Sequence, residues 1–332
     1  MHAALRRCAT AVGLSTSKQH HHPSSSSLPS PFRNAPKRGA MATTTTHAIT
    51  ERTITDAPKH MPAQPYPHGL KSLGGCTLET TLARLGASLS LAPLPSTGSA
   101  FIKPATVLYQ LDGKQRRWDV IEAHPSIGVI LYHEDLDAFV IVRQFRPAVY
   151  SALLAGGANG ANGADAPPPP LHAAFTYELC AGLCDKDGKP PREIAAEEIL
   201  EECGYAVDAA AIVPVTSAVS SAGTAGASHF LFFARVSEAM RSKDQHGTAG
   251  GGLAETGEAI EVLALPFDQA DALVLDGLSN LSMSPGLQFG LTWAARELER
   301  GRLGGRRKGK GGDDDKEGLL TAELNLKPVL PA

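Results

Sequence analysis

The sequence predicts a mixed α/β domain, and two observations carry that expectation. Short runs rich in β-branched and aromatic residues recur between residues 127 and 265, each bounded by polar or glycine-containing turns. Two segments, 192–203 and about 287–298, instead place apolar residues at helical spacing. In chain order, 127–132 and 138–145 read as strands joined by Glu134, Asp135, Leu136 and Asp137, the pattern of a hairpin. A short strand, 175–179, follows the prolines at 167–170. Pro190 and Pro191 then supply fixed φ angles at a helix start, and Gly204 stands where a C-terminal cap is wanted. Strands at 212–219, 229–236 and 259–265 lead to the last amphipathic helix.

Composition bounds the rest. Of 332 residues, 42% are hydrophobic and 20% charged, enough for a buried core. Lys plus Arg (31) against Asp plus Glu (34) leaves a net charge of −3, so no basic field recruits nucleic acid or a membrane. The longest uncharged run, 209–234, is broken by Pro214 and a Ser/Thr/Gly cluster, and reads as two strands and a loop. Five cysteines make no disulfide framework and point to a reducing compartment.

Low-complexity stretches mark the boundaries. Residues 1–50 lack Asp and Glu, carry Arg6, Arg7, Lys18, Arg33, Lys37 and Arg38, and are dense in Ser, Thr, His and Pro. That is the composition of a transit peptide to plastid or mitochondrion. The alternative is a plain tail with Met41 as the true start and a cytoplasmic protein. His20, His21 and His22 lack converging partners and read as solvated. Nothing before Ala57 has core-forming periodicity. The stretch 155–170 is too rich in Gly, Ala, Asn and Pro to bury a face or hold a helix, and reads as a flexible loop. At 304–318 a basic block precedes an acidic one, as in a solvated tail. The expected layout is a tail at 1–60, a strand-rich extension at 70–115, the main domain at 116–300 and a second tail at 301–332.

The helix after Pro191 carries the chemistry. Glu198, Glu201 and Glu202 lie at i, i+3 and i+4 and share a face, with Glu197 beside them. Like charges so spaced each cost a helix roughly 0.2–0.5 kcal/mol. Either the face is simply solvated, or a hard divalent cation with a substrate phosphate offsets the repulsion. Cys180, Cys184 and Cys203 crowd the same region, but no histidine or fourth cysteine completes a tetrahedral set, so free thiols are expected.

The residues before the helix decide between the two readings. ELCAG (178–182), the loop to Pro191, and EEILEECGY (197–205) resemble the Nudix box, G-x5-E-x7-R-E-U-x-E-E-x-G-U. The loop is one residue longer than usual, Lys189 stands where the first glutamate belongs, and Glu197 replaces the arginine that normally braces the helix. RWD (117–119), VIVRQFRPAVY (140–150) and GGGLAETGEAIEV (250–262) are similar to segments of the ADP-ribose and UDP-sugar pyrophosphatase branch, most of all to UDP-sugar pyrophosphatases.

The resemblance implies a Nudix α/β/α sandwich whose N-terminal extension helps form a homodimer. It implies Mg²⁺, with Mn²⁺ as substitute, on Glu198, Glu202 and the backbone carbonyl of Ala181, with Glu201 as a supporting catalytic carboxylate. It places Arg146 on the diphosphate, Glu178 on substrate or metal through water, and Trp118 against the base, with core packing the alternative for Trp118. Glu258 is the implied general base, ahead of Glu255 in the same glycine-rich loop. The implied reaction is metal-dependent hydrolysis of a nucleoside diphosphate sugar, UDP-glucose giving UMP and glucose 1-phosphate. ADP-ribose or ADP-glucose hydrolysis is one alternative, and a non-catalytic nucleotide-sugar sensor the other.

Overall fold

A computed structural model describes residues 51–86, 88–96, 98–99, 102–159, 167–242, 250–253, 255, 257–276 and 281–304. The expectations for 1–50, for the centre of the loop at 160–166 and for the charged tail beyond Gly304 lie outside the described residues.

The N-terminal part contains β1 (Arg52–Thr55), β2 (Lys71–Gly75), α1 (Leu78–Arg84), β3 (Ser88–Leu91), β4 (Lys103–Leu111) and β5 (Lys114–Glu122). The main part follows with β6 (Ser126–His133), β7 (Ala138–Phe145), α2 (Pro147–Asn159), β8 (Phe175–Glu178) and β9 (Cys180–Leu183). Next come α3 (Pro191–Glu198), which runs on as a π turn over Ile199–Cys203, then β10 (Val213–Val219) and β11 (Ser228–Val236). β12 (Ile260–Pro266), α4 (Ala270–Asp276), β13 (Ser282–Met283) and α5 (Pro285–Glu299) complete the described elements.

The central sheet runs β10-β11-β6-β7-β12-β2, and its middle splits. β6 and β7 pair only near their turn, at 131–133 with 138–140, and then diverge. β9 fills the gap on β6, and β8 fills it on β7. β6 is apolar on both faces, as a strand covered on both sides must be. Its Ile127, Val129 and Leu131 meet Ile194, Ala195 and Ile199 of the carboxylate helix. Its Ile130 and Tyr132 pack in a second core with Leu287, Leu291 and Leu298 of α5. Helix, sheet and helix thus form three layers, the arrangement the resemblance implied. Each fully buried isoleucine contributes roughly 1.5–3 kcal/mol.

Three sequence expectations need correction. Helix α2 extends through Asn159, so 155–159 is helical rather than loop. Pro147 stands at its first position, where a missing N–H costs nothing, and buried Tyr150 anchors the helix, which then propagates into the weak tail. Residues before Ala57 also do structural work: β1 pairs with β3, and Ile54 packs against a third core containing Ala57, Leu82 and Tyr150. Finally, residues 71–75 belong to the main sheet as β2 on the edge of β12, and the division drawn between 115 and 116 falls inside β5.

A buried network ties β2's surroundings to the sheet. Arg143 and Glu261 are 2% and 1% exposed and pair at 2.5–3.0 Å. Tyr66 Oη and the Leu78 amide donate to the same carboxylate, so the buried charge is satisfied on all sides. By contrast, β4 and β5 form a separate two-stranded ribbon in which nearly every residue is exposed. No helix among the described residues is long and apolar enough to cross a membrane. Cys76, Cys180, Cys184 and Cys203 are free thiols.

Candidate active site

The carboxylate helix lies directly on strand β9. A Cβ at Gly182 would stand 2.1 Å from Glu198 Oε1, so a larger residue there would displace this carboxylate from its place over the strand. One residue earlier, the Ala181 amide donates to Glu202 Oε2 at 2.9 Å. Ala181, expected to serve through its carbonyl, therefore touches the site through its N–H, with its backbone against Glu202. The π turn at Ile199–Cys203 ends at Gly204, which takes the left-handed conformation at φ 77° as its capping role demands.

That geometry sorts the three carboxylates. Glu202 is buried and Glu198 and Glu201 are half-buried, with the Glu201 backbone carbonyl accepting from the Gly252 amide. Burial, then the charge of Glu201, pushes Glu198 up to about 7. Burial also pushes Glu202 up to about 8, opposed by the Ala181 amide and reinforced by the charge of Glu198. The charge of Glu258 raises both.

Glu258 reaches this group by way of three glycines. The Gly251 amide donates to Glu202 O at 2.8 Å and the Gly252 amide to Glu201 O at 3.1 Å, satisfying carbonyls that a helix end leaves open. A Cβ at Gly250 would meet Glu202 O at 2.4 Å, and one at Gly252 would meet Glu258 Oε2 at 2.7 Å. Glu258 is exposed and accepts from the Leu253 amide at 2.8 Å, two residues before β12 fixes the backbone. Glu255 lies exposed in the same loop.

Arg146 follows the end of β7, its amide held by Ala174 O at 2.9 Å. Its guanidinium grips Glu178 in a two-pronged pair, Nε to Oε1 at 2.7 Å and Nη2 to Oε2 at 2.6 Å, and the Thr176 hydroxyl also donates to Glu178. Its pKa is raised by this Glu178 bond and further by the charges of Glu202 and Glu258. Arg146, Glu178, Glu198, Glu202 and Glu258 are thus brought together. Trp118 sits elsewhere, on the ribbon, 53% exposed, with Nε1 donating to Gly223 O at 2.8 Å.

The two substituted positions of the box find each other. Lys189 pairs with Glu197, and Lys186 joins them at 2.7 Å. The helix start is braced by an ion pair of lysine before and glutamate after, the reverse of the usual order. The partners are partly exposed, so the pair contributes little to stability.

The donor chemistry fits a hard divalent cation: carboxylate oxygens crowded by like charge, of which Glu202 accepts one backbone N–H. Among the described residues no three His, Cys, Asp or Glu side chains stand together as a ready ligand cluster. The charges of Glu201 and Glu258 act on Glu198, and those of Glu198 and Glu258 act on Glu202. A split sheet between helices, with a carboxylate helix laid on a glycine-containing strand, is consistent with a Nudix-like α/β/α arrangement.

No family model matches the chain. It is 38% identical over 203 residues to uridine diphosphate glucose pyrophosphatase NUDT14 of Bos taurus, covering 59% of this chain and 88% of the relative. The Mus musculus protein of the same name is 33% identical over the same shares. GDP-mannose pyrophosphatase of Klebsiella pneumoniae is 36% identical over 51% of this chain and 73% of its own length. The chain belongs to the Nudix family of nucleotide-sugar pyrophosphatases.

Proposed function

We propose that the protein hydrolyses UDP-glucose to UMP and glucose 1-phosphate with Mg²⁺, for which Mn²⁺ substitutes. The observation that carries this reading is the juxtaposition of Glu198 and Glu202, on the backbone of Ala181 and Gly182, with Arg146 and Glu258. The similarity to UDP-glucose pyrophosphatases of two mammals supports the choice of substrate.

Glu198, Glu202 and the Ala181 carbonyl would hold the metal, with Glu201 lending its charge. Bound there, Mg²⁺ would supply Lewis acidity toward the diphosphate oxygens and toward a nearby water. Arg146 binds the diphosphate, exchanging the Glu178 carboxylate for phosphate oxygens that suit the same two-pronged geometry. Glu178 keeps the guanidinium in register until substrate arrives. Glu258, at the base of the glycine loop, takes the proton from the attacking water. Trp118 offers its exposed ring to the base. On the ribbon, Val107, Tyr109, Leu111 and Trp118 share one exposed face, and a second copy of the chain covers it in a homodimer. Residues 1–50 direct the protein to an organelle.

The test is a panel of UDP-glucose, ADP-glucose, ADP-ribose and GDP-mannose, assayed with Mg²⁺ for released monophosphate. UMP from UDP-glucose at the highest kcat/KM is expected. Binding of UDP-glucose without UMP release at any Mg²⁺ or Mn²⁺ concentration would mean a nucleotide-sugar sensor instead.

A further inference from the structure

A cleft of about 530 Å³ opens between the start of α5 and the sheet, with Glu178 and Ala181 of the site just described at one end. Its other walls include Gly128, Ser220, His229 and Phe289. His229 is the titratable side chain of this cleft that the reaction above does not use.

The ring is fixed and aimed. Its Nδ1 is 2.8 Å from the Ser126 hydroxyl across the parallel pair β11 and β6, where His229 and Ser126 are in register. That contact turns Nε2 toward Gly128, where an added Cβ would stand 3.1 Å from it. Because residue 128 has no side chain, Nε2 faces the space of the cleft. Burial holds the histidine below its ordinary pKa, so the ring is neutral at neutral pH. A neutral imidazole with one nitrogen engaged offers a single uncharged donor or acceptor on the other. Such a group suits a hydroxyl better than a phosphate, and the substrate's hydroxyls belong to its hexose and its ribose.

We propose that His229 is a specificity-determining residue whose Nε2 reads one sugar hydroxyl of the substrate within this cleft. The proposal rests on the nucleotide-sugar reading above. It assigns the end of the substrate that the carboxylates and Arg146 leave unread.

Wild type, His229→Leu, His229→Gln and Gly128→Ala are assayed with Mg²⁺ on UDP-glucose, its monodeoxyhexose analogues and its 2′-deoxyuridine analogue. His229→Leu should lower kcat/KM for UDP-glucose about three- to tenfold, mainly through KM, the range of one hydrogen bond between neutral partners. It should leave unchanged the one analogue that lacks the contacted hydroxyl, and that analogue tells hexose from ribose. Gly128→Ala should mimic it by covering Nε2, and His229→Gln, which keeps an N–H at similar reach, should restore part of the discrimination. Equal losses on every substrate, or none, would reduce His229 to a structural role. A wild type that neither binds nor cleaves any nucleotide sugar would instead sink the reading beneath it, and this proposal with it.

Discussion

A methyl group at Gly182 would push Glu198 from its place, whereas every residue of β4 faces solvent. The helix region has its backbone carbonyls satisfied by loop amides and its Glu202 carboxylate by a strand amide, all from the same chain. The ribbon pairs only with itself along its strands, and touches the domain through Ile121 and Trp118 at the loop carrying Gly223 and Thr224. The contrast separates two kinds of unfinished surface. The carboxylates crowd like charge beside Arg146, the kind of site a small cation would suit; the ribbon exposes apolar side chains, the kind of surface a macromolecule of matching shape would cover.

The sharpest way to break the comparison is at the carboxylates. Glu198→Gln or Glu202→Gln should remove nearly all turnover, about a thousandfold or more in kcat, while the melting temperature of the metal-free protein holds or rises. A marked fall in metal-free stability would make these side chains structural. Next in size, Glu258→Gln should lower kcat by about 10²–10⁴ with little change in metal affinity, and Glu255→Gln much less. Exchange of those two effects in steady-state kinetics would move the base three residues back.

On the ribbon, Tyr109→Ser with Trp118→Ser should shift sedimentation from dimer to monomer and raise KM, leaving the metal-free melting temperature nearly unchanged. A dimer that survives both changes is held elsewhere. A pH series sharpens the other side. Glu202 titrates in the fold near 8, above its ordinary value of 4.5. The native state therefore binds more protons than the unfolded one between those values, and metal-free stability should fall as pH rises from about 5 to 8. Glu202→Gln should flatten that slope, and saturating Mg²⁺ should offset it. The smallest effect belongs to the helix brace. Lys189→Glu should cost a few tenths of a kcal/mol, and adding Glu197→Lys should return it, as a double-mutant cycle in urea would record.

Much of this was legible in the chain itself. Two prolines, an apolar 3.6-residue rhythm and Gly204 delimit the carboxylate helix because each acts on its own backbone. Strands β6, β7, β11 and β12 declare themselves by unbroken apolar runs, since both of their faces are covered. Strand β9 was not legible: Cys180–Leu183 is four residues with a glycine inside, and its pairing with β6 comes from fifty residues upstream. The π turn leaves no mark in composition either, yet it is the place where Glu201 parts from Glu202. His229 gave no signal, because it becomes part of a cleft only through Ser126 and Gly128, about a hundred residues away. The swap of Lys189 and Glu197 was visible as two separate oddities; that they compensate needed the fold.

The two amides of Gly251 and Gly252 have a use beyond capping the helix. They are buried in hydrogen bonds only while the loop bearing Glu258 is down on Glu201 and Glu202. Any opening of those two hydrogen bonds would expose both amides to solvent deuterium, so their exchange rates would time it. Timed without ligand, with cation alone and with cation plus a non-hydrolysable nucleotide sugar, that exchange would read how long the proton acceptor stays in place before water is committed to attack.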